Sequence, residues 1–285
     1  MESKLHLLAT EPYLSPLKEV VKAPTSVYIA GKLPPVRVPS VAIVGTRRPT
    51  SYGKEVTYRL AYDLAKRGVV IISGLALGVD AIAHQAALDA RGTTIAVLGN
   101  GLDHIYPSRN QQLGKQIVKK GGALLSEYPP SMPALAHHFL ARNRLVSGLA
   151  DAVIVTEAAA RSGTLSTVNH ALEQGKEVFV VPGNITSLLS VGSNRLLKQG
   201  AHPILTASDV LEVIAPHLIK EATEPPTGNT PAETTILQLI HSGVRGGDQL
   251  QEASGLKASE FSQALTMLEI NGDICALGGN QWTIR

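Results

Sequence analysis

Residues 137–167 read HHFLARNRLVSGLADAVIVTEAAARSGTLST, and both the fold and the chemistry turn on how this stretch is parsed. Ala152–Val155 is a short apolar run without alternation, the mark of a strand covered on both faces. It leads into the turn Arg161-Ser162-Gly163-Thr164, which opens a helix over Leu165–Gln174. A helix start reached through a glycine turn presents backbone N–H groups, and the helix dipole adds positive potential, so the place suits a phosphate. Upstream, Arg142, Asn143 and Arg144 form a basic cluster, and Phe139 stands beside His137 and His138. The stretch predicts a phosphate backbone held at the strand's end, with His137–Asn143 read as a loop.

The same unit recurs outward from it. Ser40–Val44 is an apolar strand ending in Gly45-Thr46-Arg47-Arg48-Pro49, with a helix from about Tyr52 to Arg67. Val69–Ile72, Thr94–Leu98, Ala123–Leu125, Glu177–Val181 and Pro203–Leu205 read as further strands, with helices at Val79–Ala90, Ser108–Lys120 and Ala207–Ile214. Ser193 reads as the N-cap of a short helix to Gln199. Alternating strands and helices, each strand a continuous apolar run, predict an α/β fold with a mostly parallel, doubly wound Rossmann-like sheet. Ligands bind such sheets at the carboxyl ends of the strands. The turns at those ends carry Arg47, Arg48, Arg109, Arg142, Arg144, Arg161 and Arg195 against four carboxylates, so that edge is predicted to be basic.

The flanks differ in character. Residues 1–40 read as an irregular, proline-rich extension with one short edge strand, Ser26–Ala30. The Rossmann-like domain spans 41–216, and the polar, proline-containing stretch 217–231 reads as a linker. Residues 232–285 give three helices (Ala232–Ser242, Gly247–Ser254, Ala258–Asn271) and two short strands around Gly278-Gly279, the pattern of a winged helix. The net charge of +3 conceals an asymmetry. Residues 1–216 carry 22 Lys and Arg against 15 Asp and Glu, a surplus of +7, whereas 217–285 carry 4 against 8, giving −4. A polyanion therefore belongs on the first part. The third helix of the small module holds Glu260 and Glu269 and would repel a duplex, which favours a protein-contact role there.

Composition narrows the function classes. With 44% apolar residues the 285-residue chain can build a large core. No apolar stretch reaches the ~18 residues of a membrane span, and Met1–Leu14 lacks the layout of a secretory signal, so a cytoplasmic protein is expected. The single Cys275 leaves no internal disulfide or cysteine zinc site. His137-His138 has no third ligand nearby, so no metal is expected. No P-loop occurs, and Ser73–Asp80 lacks the G-x-G-x-x-G spacing of a dinucleotide site, so no cofactor is expected. Asp80 reads as a complement to a helix dipole. Phe139 serves either as an anchor in the core or as a ring for a nucleobase, and its basic neighbours favour the second as much as the first.

Taken together, VAIVGTRRPTSYG, SGLALGVDAIAHQAAL, TIAVLGNGLDHIYPSRN, LLSEYPP, HFLARNRLVSGLADAVIVTEA, SGTLSTVNHALEQGKEVFVVPGN and GSNRLLKQGAHPI, in this order, resemble the DNA-processing protein A (DprA, or Smf) family. The resemblance implies a Rossmann-like fold, single-stranded DNA binding, homodimerisation, and loading of the RecA recombinase onto incoming DNA in natural transformation, without catalysis. It implies a DNA site made of Gly45, Thr46 and Arg47, of Phe139, Arg142, Asn143 and Arg144, and of Gly163 and Thr164, with Lys198 added. Thr46 stands where the family usually has serine, and Leu140 where proline commonly follows the aromatic. The competing reading is a nucleoside-monophosphate phosphoribohydrolase of the same fold, marked by P-G-G-x-G-T-x-x-E. The Gly163-Thr164 pair of that motif is present, but Thr167 stands in place of its glutamate, leaving Glu157 as the substitute acid/base group.

Overall fold

The computed structural model of the chain describes residues 3–219 and 226–284. Two compact units divide it, Met1–Ile219 and Lys220–Arg285. The first is built on nine strands: β1 Lys4–Leu7, β2 Ser26–Gly31, β3 Ser40–Val44, β4 Val70–Ser73, β5 Thr94–Leu98, β6 Ala123–Ser126, β7 Ala152–Val155, β8 Glu177–Val180 and β9 His202–Pro203. Their order across the sheet is β1-β2-β6-β5-β4-β3-β7-β8-β9. From β6 to β9 every pairing is parallel, and β1 and β2 join antiparallel at one side.

Seven helices cover the sheet: α1 Ser51–Lys66, α2 Val79–Asp89, α3 Gln111–Lys119, α4 Ala136–Leu149, α5 Thr164–Glu173, α6 Val191–Lys198 and α7 Ala207–Ile214. Successive residues of a strand face opposite sides, so Val41 and Ile43 pack under α1 and α2 while Ala42 and Val44 pack under α4. This two-sided burial is why the strands read as unbroken apolar runs. The chain runs from β3 outward through β4, β5 and β6, then returns to lay β7 on the other side of β3. The switch point of the sheet therefore lies between β3 and β7, where an open parallel sheet leaves a crevice.

The N-terminal segment departs from the irregular extension expected. It supplies β1, a 3-10 helix over Pro12–Glu19, and β2, and it buries Tyr13, Leu14 and Leu17 completely. Ser26–Gly31 is not the sheet's edge, because β1 lies outside it. The Tyr13 hydroxyl pairs with Ser40 Oγ at 2.7 Å, and burial pushes its pKa up to about 12. Pro12 and Pro16 break the helical period that would have shown this segment as part of the core.

Two further corrections bear on the site. His137–Asn143 is helical, inside α4. The buried face of α4 is His138, Arg142, Leu145 and Leu149, so two polar residues occupy positions where a periodicity argument looks for apolar ones. Ser193 lies within the first turn of α6, not at its cap, and its hydroxyl accepts the Ala158 N–H at 2.9 Å, tying α6 to the end of β7.

The second unit holds α8 Pro231–His241, α9 Gly247–Ser254, α10 Ala258–Asn271 and the hairpin β10 Ile274–Gly278 with β11 Gln281–Ile284. Its core is centred on Ile236, Ile240, Leu250, Phe261 and Leu268. Of the linker expected at 217–231, residues 220–225 lie outside the described residues.

Candidate nucleic-acid interface

A cleft of about 300 Å³ opens at the carboxyl ends of β3, β4 and β7, at the switch point. Three turns that interlock by main-chain contacts make its floor. Thr46 N–H donates to Glu157 O at 2.8 Å, and Val79 N–H donates to Thr46 O at 3.2 Å. Gly78 has φ +80°, and a Cβ there would run into the Thr46 carbonyl and the Arg47 main chain. Only glycine serves a position that combines that φ with such an approach. The Gly45-Thr46-Arg47 turn is thus held from both sides, with Arg47 exposed at its lip.

The Glu157 side chain explains how α1 begins. Its buried carboxylate accepts Thr50 N–H and Thr50 Oγ1–H, both at 2.8 Å, while Thr50 Oγ1 caps α1 by accepting Gly53 N–H at 3.1 Å. A Cβ on Gly53 would strike this carboxylate. Glu157 does not line the cleft, and Thr167 does. Asp80 is the one carboxylate lining the cleft among the described residues, and it accepts Gly74 N–H at 3.0 Å and Ala76 N–H at 3.3 Å. So Asp80 holds the turn after β4 rather than simply facing the dipole of α2. Among the described residues, the one carboxylate at the cleft is thus engaged by main-chain donors.

Eight of the ten residues expected at the site line the cleft: Gly45, Thr46, Arg47, Phe139, Arg142, Asn143, Gly163 and Thr164. They do so in different ways. Arg142 is buried beneath the surface, where its guanidinium donates to Gly74 O at 2.8 Å and to Val97 O. Burial pushes its pKa down to about 10, with Asp80 opposing the shift and Arg47 reinforcing it, so Arg142 stays charged at neutral pH. Burial likewise pushes the Asp80 carboxyl up, against the pull of Arg142. Arg142 is therefore a fixed cation under the floor, with Nη1 tied to two carbonyls and a buried Nε that has no hydrogen-bond partner among the described residues.

Arg144 and Lys198 lie outside the lining. Arg144 is paired with Glu127 at 2.6 Å, both mostly buried, and Lys198 is exposed at the end of α6. On a helix, positions 142 and 144 point about 200° apart, so two arginines that look equivalent in sequence cannot share one face. Arg161 and Ser162 line the cleft without having been assigned to the site. Their signal was their place in the turn that holds Gly163. That turn also uses its own donors: Ser162 Oγ takes Thr164 N–H at 3.2 Å, and Ser162 O takes Leu165 N–H at 3.1 Å. An anion here meets mainly Arg47, Arg161 and the positive end of α5. Phe139, Leu140 and Asn143 form the opposite wall on α4. His138 stacks on Tyr128 with centroids 4.0 Å apart, and His137 meets His138 edge-on at 4.4 Å, a packed aromatic group.

A family model described as DNA recombination-mediator protein A matches residues 4–215. The chain belongs to this family. A second model, the DprA winged helix domain, matches residues 220–280, so the three-helix and hairpin unit of this DprA-family chain is a winged helix. Protein Smf of Escherichia coli (strain K12) is 38% identical over 98% of this chain and 74% of its own length. The X-ray structure of DprA from Streptococcus pneumoniae superposes with a TM-score of 0.70 at 39% identity, covering 75% of each chain. A structure of DprA from Helicobacter pylori, described as showing a unique single-stranded DNA binding mode, superposes with a TM-score of 0.64 at 37% identity over 73% of this chain and 94% of that one. The DprA-type fold expected from the motifs, a mostly parallel Rossmann-like sheet with a winged helix, is the fold observed. Among the described residues, no helix is long and apolar enough to cross a membrane.

Proposed function

We propose that this chain binds single-stranded DNA in the cleft between β3 and β7 and delivers it to RecA in the cytoplasm, as a homodimer and without catalysis. The observation that carries the reading is the joint presence of Arg47, Arg161 and Phe139 around one open cleft. Two exposed guanidinium groups and a helix start meet phosphates, and the ring on α4 meets a base. Buried Arg142 adds positive potential from below. The relative from H. pylori, whose structure is described by its single-stranded DNA binding, supports the choice of ligand. RecA delivery and dimerisation rest on membership of the family. The acidic winged helix suits a protein contact better than a duplex, because its third helix carries exposed Glu260 and Glu269.

Fluorescence anisotropy of labelled single-stranded and duplex oligonucleotides across a salt series tests the reading. The expected result is preference for the single strand, a steep fall in affinity with salt, and a marked loss in Arg47→Ala, whose salt slope is shallower by about 0.7. Duplex binding as tight as single-strand binding, untouched by Arg47→Ala, would overturn it.

A further inference from the structure

The loop of residues 99–110, between β5 and α3, forms an outer rim beside the cleft. It is braced against the elements that build the site. Asn110 Nδ2 donates to Leu75 O at 2.8 Å and to Ala76 O at 3.0 Å, and Ala76 lines the cleft. Gly101 N–H donates to Met132 O at 2.9 Å and Asp103 N–H to Pro130 O at 3.0 Å, which fastens the loop to the segment that enters α4. At Gly99 a Cβ would come within 2.9 Å of Phe139 Cδ1, so the loop starts directly behind the aromatic ring of the cleft.

On this braced loop stands Tyr106. Its ring centroid lies 5.5 Å from that of Phe139, with the planes inclined by 37°. Ile105 before it is buried and anchors the loop, whereas Tyr106 itself is 52% exposed. The two rings make a step, the inner one lining the cleft and the outer one clear of it. His104 and Arg109 are exposed on the same loop and keep the rim free of net negative charge beside Asp103. Sequence-tolerant single-strand binders work in this way, successive bases stacking on successive rings along a cationic track.

We propose that Tyr106 is a second base-stacking position, taking the nucleobase next to the one at Phe139, so that the strand leaves the cleft across the β5–α3 loop. The proposal rests on the cleft being a single-stranded DNA site and adds the direction of the strand. In the test, oligothymidylates carrying 2-aminopurine at successive positions are titrated with wild type, Tyr106→Phe, Tyr106→Leu, Tyr106→Ala and Arg47→Ala, with circular dichroism checking the fold of each. The expected result is quenching at two adjacent positions in wild type and Tyr106→Phe. In Tyr106→Leu and Tyr106→Ala one of the two is lost, with affinity about 5- to 150-fold weaker, the range of aromatic–base stacking. Tyr106→Leu keeps the apolar cover over Phe139, so wild-type quenching and affinity in that variant would overturn Tyr106 as a stacking residue while leaving the cleft reading intact. Failure of the wild type to bind the oligonucleotide would overturn both.

Discussion

Arg142→Met separates a buried structural cation from a residue that grips DNA. The substitution keeps an unbranched chain of similar length but removes the charge and the donors to Gly74 O and Val97 O. It also leaves Asp80 buried without its cationic neighbour. Removing one partner of a buried charge pair costs about 3–5 kcal/mol, chiefly from the charge left behind. The sign with pH follows from Asp80. Its carboxyl is already raised in the folded protein, so the folded state binds that proton more tightly than the unfolded chain. The corresponding stability is complete below the ordinary aspartate value and is lost as pH rises through the folded one. Without Arg142 the folded value rises further, so the variant is expected to lose stability against wild type progressively as pH climbs from the acid side. Adding Asp80→Asn should recover part of the loss at neutral pH. Urea unfolding followed by far-UV circular dichroism measures this, and the fluorescence of Trp282, the single tryptophan, follows the second unit separately. DNA binding supplies the other half of the test. A cation that touches no phosphate leaves the salt slope of single-strand binding unchanged, whereas one that does would lower it by about 0.7. A destabilisation under about 1 kcal/mol together with a lowered slope would refute the buried-cation argument.

Two more outcomes follow from the packing. His84 is fully buried with Nδ1 at 2.7 Å from Thr94 Oγ1, which itself donates to Ile71 O, and burial pushes its pKa down to about 3. The unfolded chain takes up the proton first as pH falls below the ordinary histidine value, so stability is present at neutral pH and declines by about 1.4 kcal/mol per unit between about pH 6 and 4; unfolding free energies of His84→Asn should lack that part of the slope, and an unchanged slope would contradict the burial argument. Gly78→Ala introduces a Cβ against the Thr46 and Arg47 main chain at a φ of +80°, and thermal unfolding should show a loss of about 1–3 kcal/mol accompanied by weaker single-strand binding, since the Arg47 turn must shift.

Much of the site was legible because turns are local. Gly45-Thr46-Arg47 and Arg161-Ser162-Gly163-Thr164 follow apolar strands directly, and a parallel sheet brings both to one edge. The helix α4 was not legible, because its buried face uses His138 and Arg142. β1, four residues long, was missed, and β2, read as an edge strand, pairs on its other side with β6 about 95 residues further along the chain.

The sequence by itself determined the alternation of strands and helices, the basic edge, the acidic small unit and the family. Each of these depends on spacing within a few residues, on charge counts, or on the order of motifs. Only the tertiary structure decided what each arginine does. Arg47 reaches solvent, Arg144 is paired to Glu127, and Arg142 is sealed under the floor by carbonyls 68 and 45 positions away. A guanidinium has the same chemistry at all three positions. Its role is set by the partners that distant parts of the chain bring to it: solvent for Arg47, a carboxylate for Arg144 and two carbonyls for Arg142.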